Sequence, residues 1–178
     1  MTDDEELMLA AGRGDLSALA QLALRHQDAV WHVAYRFLGN TADAEDVAQE
    51  AFLRLLTAAD RYRPAASFRT YLYRIVTNLC FDRLRRKRLR QCEHLSEVVD
   101  PRRTPAEASL ASERSRIVRR ALDALPQSQK MAVVLRYYEH LSHREIADAL
   151  HTTTKGAERL LARARISLAG RLGEILEE

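Results

Sequence analysis

Cysteine is nearly absent from these 178 residues, and the two present, Cys80 and Cys92, form no CxxC pair. That excludes a disulfide framework and a thiolate zinc site, and both are read as ordinary thiols. Glycine (6) and proline (4) are scarce as well, while Ala, Leu, Arg and Glu abound, so intrinsic preference favours helix over strand. The expected fold class is all-α. No apolar run approaches the roughly 20 residues of a membrane span, and the opening Met1-Thr2-Asp3-Asp4-Glu5-Glu6 is acidic where a signal peptide is basic. A cytoplasmic protein is expected. A Gly-rich phosphate loop, a Ser/His/Asp order and a paired-carboxylate cleft are also missing, so no enzyme class is supported and neither cofactor nor small-molecule substrate is expected.

What the chain does have is segregated charge. The net charge of +3 conceals residues 1–60, with 11 acids against 4 bases (−7), followed by residues 61–90, with 10 bases against the single acid Asp82 (+9). A solvated helix face ordinarily mixes signs, so two adjacent segments point to two partners, one basic and one polyanionic.

From Leu7 to Leu38 apolar residues recur at helical spacing (Leu16, Leu19, Ala20, Leu22, Ala23, then Val30, Val33, Ala34, Phe37 and Leu38), a stretch expected to form two helices, the second stopped by Gly39-Asn40 as a C-cap. Thr41 is expected to cap the next helix, with Asp43 and Glu45 at the positive end of its macrodipole. Its buried stripe reads Val47, Phe52, Leu55 and Leu56, and Asp43, Asp46, Gln49 and Glu50 share the opposite side. Asp43, Asp46 and Glu50 could in principle ligate a divalent cation, but no fourth ligand accompanies them and no metal site is expected. After the loop at 61–67, Ser67 can cap a long helix whose core stripe is Phe68, Tyr71, Leu72, Ile75, Val76 and Leu79. That leaves Arg69, Tyr73, Arg74, Thr77, Asn78 and Phe81 on the other side, with Tyr73 expected to be exposed. An exposed Tyr73 could stack on an unpaired base and Asn78 could hydrogen-bond its edge, while Arg83, Arg85 and Arg86 in the basic helix end would attract phosphate.

From Leu89 to Ser109 the periodicity breaks, and the expected organisation is a helical domain at 1–90, a flexible linker at 91–109 and a second small helical domain at 110–178. In the last, Ser142-His143-Arg144-Glu145 spells a capping box opening a short helix from Glu145 to Leu150, and His151-Thr152-Thr153-Thr154 turns into a basic helix. Short helix, tight turn and longer basic helix form a helix-turn-helix, whose second helix enters the major groove. There Lys155, Glu158, Arg159 and Ala162 are candidates for base edges, and Arg163 and Arg165 for the DNA backbone.

Four separated blocks resemble one known family in the right order. DAEDVAQEAFLRLL (43–56) is similar to the polymerase-binding helix of extracytoplasmic-function (ECF) σ factors, and FRTYLYRIVTNLCFDRLRR (68–86) to their minus-ten-reading helix. ALDALP (121–126) and LSHREIADAL (141–150) resemble the entry to their minus-thirty-five-reading domain. The resemblance implies a non-enzymatic promoter-specificity subunit, monomeric when free, with core RNA polymerase (β′ and β subunits), promoter DNA and an anti-σ protein, soluble or at the inner membrane, as partners. It implies that Asp43, Asp46, Gln49 and Glu50 dock on a basic coiled-coil surface of β′. It also implies that the loop from Arg63 to Ser67, with Tyr73, Arg74 and Asn78, holds a base flipped from the melted minus-ten element. Tyr71 stands where many members have Trp, and KGAERL (155–160) replaces a run like GTVKSR, placing Glu158 where a basic residue is usual. The competing readings are a self-sufficient helix-turn-helix regulator, for which no dimer helix is evident, and an enzyme or metal sensor using the histidines and Cys92.

Overall fold

A computed structural model of the chain describes residues 3–93 and 113–176, which among them form eight α-helices and one 3-10 turn. The N-terminal group comprises α1 (Asp3–Gly12), α2 (Leu16–Leu38), α3 (Thr41–Ala58), the turn Ala59–Arg61 and α4 (Phe68–Glu93). The C-terminal group comprises α5 (Glu113–Asp123), α6 (Gln127–Tyr137), α7 (His143–Ala149) and α8 (Thr154–Leu176). The linker expected at 91–109 lies outside the described residues from 94 onward, and 91–93 continue α4.

Local chemistry explains most boundaries. Asp15 caps α2, its carboxylate accepting from the Ser17 and Ala18 N–H groups at 2.9 and 3.2 Å. Gly39 ends the helix in the left-handed conformation (φ 72°), its N–H returning 2.8 Å to the Tyr35 carbonyl. The expected Thr41 cap is corrected: Asn40 caps α3, with its side-chain oxygen 2.8 Å from the Asp43 N–H. An amide oxygen one residue earlier satisfies the same orphan donor, so helical geometry begins at Thr41 itself.

In the N-terminal group α2 packs on α1, α3 and α4, around Leu22, Val30, Val33, Phe37, Val47, Leu55, Leu72 and Val76. Leu16, at the first residue of α2, stays exposed. On α3 the buried stripe is Ala44, Val47, Ala51 and Leu55, with Phe52 partly covered and Leu56 on the outer side, contrary to the sequence expectation. Gly12 sets how closely α1 approaches the 3-10 turn, since a Cβ there would overlap the Ala59 carbonyl oxygen. Gly12→Ala should therefore destabilise the domain by about 1–3 kcal/mol despite alanine's better helix preference, because the clash is with backbone. Thermal unfolding followed by circular dichroism measures it, and an unchanged midpoint would contradict this packing.

The C-terminal helices pack around Met131, Val134, Leu135, Leu141, Ile146, Ala157 and Leu161. They also rest on the N-terminal group, α7 against α4 and α6 against α2.

Candidate nucleic-acid and polymerase interfaces

On α3 the burial of Ala44, Val47, Ala51 and Leu55 turns Asp46, Gln49 and Glu50 outward, while Asp43 is half-buried. Arg83 reaches across from α4, its Nε 2.7 Å from Asp43 Oδ1 and its Nη2 2.5 Å from Asp46 Oδ2. The hydrogen bond to Asp43, together with that to Asp46, raises the Arg83 pKa against a smaller opposing effect of burial. Glu50 pairs with Arg54 one turn on, at 3.0 Å. A shallow groove between the two helices joins Asp46, Gln49, Glu50 and the exposed Leu53 to Arg83 and Arg86. The acidic quartet is thus partly brought together: Asp46, Gln49 and Glu50 form one face and Asp43 is tied to Arg83. Arg83, expected among phosphate-attracting residues, is placed in that intramolecular bridge, while Arg85 (2.9 Å from Asp82) and Arg86 remain exposed.

The loop before α4 is held by its own side chains. Arg63 is exposed and donates to the Tyr62 carbonyl at 2.9 Å, and Ser67 Oγ caps α4 at the Thr70 N–H (3.3 Å) while sharing a 2.8 Å hydrogen bond with the Thr70 hydroxyl. The Tyr62 phenol, buried without a hydrogen-bond partner among the described residues, is pushed up to about 12 by desolvation, helped by Glu5 and Tyr71. Arg74 lies exposed over the Tyr71 ring, its Cζ 5.4 Å from the centroid.

Tyr73 corrects the expectation of an exposed aromatic: it is 1% exposed, and its hydroxyl donates to the Glu139 carboxylate. The side of α4 that faces away from the N-terminal core is covered instead by the C-terminal group. Arg69 Nη2 donates to the Glu139 carbonyl at 2.8 Å, Thr77 Oγ1 to the Ala149 carbonyl at 2.9 Å, and the Asn78 amide nitrogen lies 3.3 Å from His151 Nε2. Desolvation first, then Glu139, pushes the Tyr73 phenol above the ordinary tyrosine range, with Arg69 opposing. Phe81 packs edge-on against Phe37 at 5.3 Å, so that ring serves packing between α4 and α2. Cys80 is buried, and burial pushes its thiol up, away from thiolate chemistry. The sequence placed Arg69 and Thr77 on the same side of the helix as Tyr73 but gave them no role, although they sit one turn either side of it; nothing local could have nominated Glu139.

In the helix-turn-helix, Ser142 and Glu145 form the expected capping box: Ser142 Oγ accepts from the Glu145 N–H at 3.3 Å, and Glu145 Oε2 accepts from the Ser142 N–H at 2.8 Å. α7 begins at His143, two residues before the expected start, because the box makes Ser142 the N-cap. Burial alone would push the Glu145 carboxyl up, but hydrogen bonds from Ser142 and Thr70 and the nearby Arg69 hold it below the usual value. A depressed carboxyl stabilises the fold above its ordinary pKa and loses that contribution as pH falls. Ser142→Ala should therefore cost about 1 kcal/mol at neutral pH and less in acid, below the ordinary carboxyl range. Urea unfolding at both conditions checks this; an equal cost at both would contradict it.

Ala157, Leu161 and Ala164 bury the inner side of α8, leaving Lys155, Glu158, Arg159, Arg163 and Arg165 exposed and Ala162 half-covered. Lys155, Arg159 and Arg163 follow one another at i+4, whereas Glu158 faces His143 with Oε1 3.7 Å from Nδ1.

Residues 22–90 match Sigma-70 region 2 and residues 115–168 match Sigma-70, region 4. ECF RNA polymerase sigma factor SigW of Bacillus subtilis is 32% identical over 174 residues, covering 92% of this chain and 93% of its own. The chain belongs to the ECF σ factors of the sigma-70 family. SigM of Mycobacterium tuberculosis H37Rv is 34% identical across 96% of this σ factor and 85% of its own length. The solved structure of CnrH, in complex with the cytosolic domain of CnrY, superposes with a TM-score of 0.75 at 27% identity, covering 96% of this chain and 97% of that one. This σ factor is accordingly a transcription-initiation factor and not an enzyme, and its two matched regions fit promoter recognition. No helix among the described residues is long and apolar enough to cross a membrane.

Proposed function

We propose that this σ factor meets core RNA polymerase through the outer side of α3 and divides promoter reading between α4 and α8. Asp46, Gln49 and Glu50, with Asp43 behind them, dock on a basic surface of β′, and the C-terminal domain engages β. Arg63, Ser67, Tyr73, Arg74 and Asn78 capture the minus-ten strand, Arg85 and Arg86 attract phosphate, and Arg83 supports the polymerase-facing side instead. Lys155, Glu158, Arg159 and Ala162 read the minus-thirty-five duplex while Arg163 and Arg165 grip its backbone. The observation that supports this reading is where the exposed charges lie: carboxylates on the outer side of α3, and exposed bases along the end of α4 beyond the Arg83 bridge to α3 and on one side of α8. The reading places the protein in the cytoplasm and gives it an anti-σ partner, in keeping with CnrH, which is bound to the cytosolic domain of CnrY.

Transcription from a promoter library by core polymerase, with and without the protein, tests this function. New start sites sharing two spaced elements are expected; their absence would overturn it.

A further inference from the structure

We propose that the C-terminal domain of this σ factor competes with promoter DNA for the minus-ten face, holding the free chain closed through a Glu139 latch on α4 and a Lys130 latch on α2. The inference rests on the reading that α4 captures single-stranded DNA. The side of α4 assigned to that task presents donors: the Tyr73 hydroxyl, the Arg69 guanidinium, the Thr77 hydroxyl and the Asn78 amide. Each is met from the C-terminal domain, by the Glu139 carboxylate, the Glu139 carbonyl, the Ala149 carbonyl and His151 Nε2 respectively. A carboxylate flanked by carbonyl oxygens offers what a phosphate and base edges offer, acceptors and negative charge, so the domain satisfies the face with the chemistry of its ligand. Occlusion is also steric: with Tyr73 and Thr77 buried, no base can stack on Tyr73 or bond to Thr77 until α7 and the α6–α7 turn move away.

The second latch lies along the junction. Lys130, on α6, is buried and sends its ammonium 2.8 Å to the Phe37 carbonyl in the last turn of α2 and 2.6 Å to Asp123. A cation there meets the negative end of the α2 dipole and a bare terminal carbonyl. Arg119 over Tyr35 and Arg36 over Tyr138 extend the same junction at 4.6 and 4.1 Å. The latch contacts are polar and exchange for water at modest net cost, while the buried apolar residues of the two groups form one continuous core that favours the closed form, so the open form is a minor population that loss of a latch raises. Opening exposes the donors together, and apparent DNA affinity scales with the fraction open.

The two latches carry opposite charges, which makes the test decisive. Glu139→Gln removes a negative charge and Lys130→Met removes a positive one, so a general electrostatic effect on binding a polyanion would drive them in opposite directions. Opening drives them together. Full-length wild type, E139Q and K130M are compared by small-angle X-ray scattering and by binding to a fluorescein-labelled random-sequence single-stranded DNA 20-mer. Circular dichroism confirms helix content, and E139A replaces E139Q if the glutamine retains the latch. Both variants are expected to expand, by about 3 Å in radius of gyration, and to bind the oligonucleotide about tenfold more tightly. Unchanged compactness, or affinities that follow the charge in opposite directions, would overturn the latch. If wild type still directs new start sites with core polymerase, that failure leaves the σ function standing. Expansion without tighter binding overturns the competition and also removes α4 as the single-strand site.

Discussion

Charge reversal at Asp46 and Glu50 (D46R/E50R) is expected to weaken binding to core RNA polymerase by about a hundredfold or more, since like charges brought together at an interface cost several kcal/mol. Transcription in the reconstituted system should fall in step. Both side chains lie about half exposed on α3, and their present partners are surface ones, Arg83 for Asp46 and Arg54 for Glu50. Such exposed pairs contribute on the order of 1 kcal/mol or less each, so the fold should tolerate the change and Tm should move little. Asp43 makes a poorer target, because it is half-buried and holds Arg83, so its removal would disturb α4 as well. Wild-type affinity should decline with rising ionic strength, as expected for opposed charges at a rim. Measured by fluorescence anisotropy against purified core enzyme, an unchanged dissociation constant with an unchanged melting temperature would remove α3 as the docking helix.

The helix ends were legible in the sequence because their causes are local. Gly39 ends α2 through its own φ, and Ser142 with Glu145 opens α7 through a pairing three residues apart. The charge split was legible too, since it needs only counting. What stayed hidden depends on residues far along the chain. Tyr73 looked free because a 3.6-residue period shows that a helix has an inner and an outer side, not whether a second domain covers the outer one. Its cover is Glu139, 66 residues away. Arg83 stood in a run of arginines indistinguishable by composition, yet Asp43 and Asp46, 40 and 37 residues earlier, single it out. Long polar reaches of this kind leave no periodic trace. They decide which basic residues remain for nucleic acid.

The sharpest disagreement within one element concerns two adjacent leucines of α3, and truncating each separates fold from function. Leu55→Ala should destabilise the protein by about 2–5 kcal/mol, the usual cost of deleting a buried leucine and leaving a cavity. For a chain of this size that lowers Tm by roughly 5–15 °C. Leu55 is fully buried, stacked along α3 with Ala51 and Val47 against the N-terminal core. Leu56 is 42% exposed, so Leu56→Ala should cost under about 1 kcal/mol, only the partial burial being lost. Its effect belongs elsewhere. Leu56 lies seven residues beyond Gln49, and Leu53 seven beyond Asp46, so two exposed leucines continue the acidic face at helical spacing. Apolar side chains at the edge of a charged docking face are where desolvation supplies affinity that opposed charges alone do not. Leu56→Ala should therefore weaken polymerase binding several-fold at an unchanged melting temperature, whereas Leu55→Ala should lower the melting temperature and bind normally while folded. Urea unfolding and anisotropy on the same two variants check both halves, and a reversed pattern would mean that the outer side of α3 had been assigned to the wrong residues.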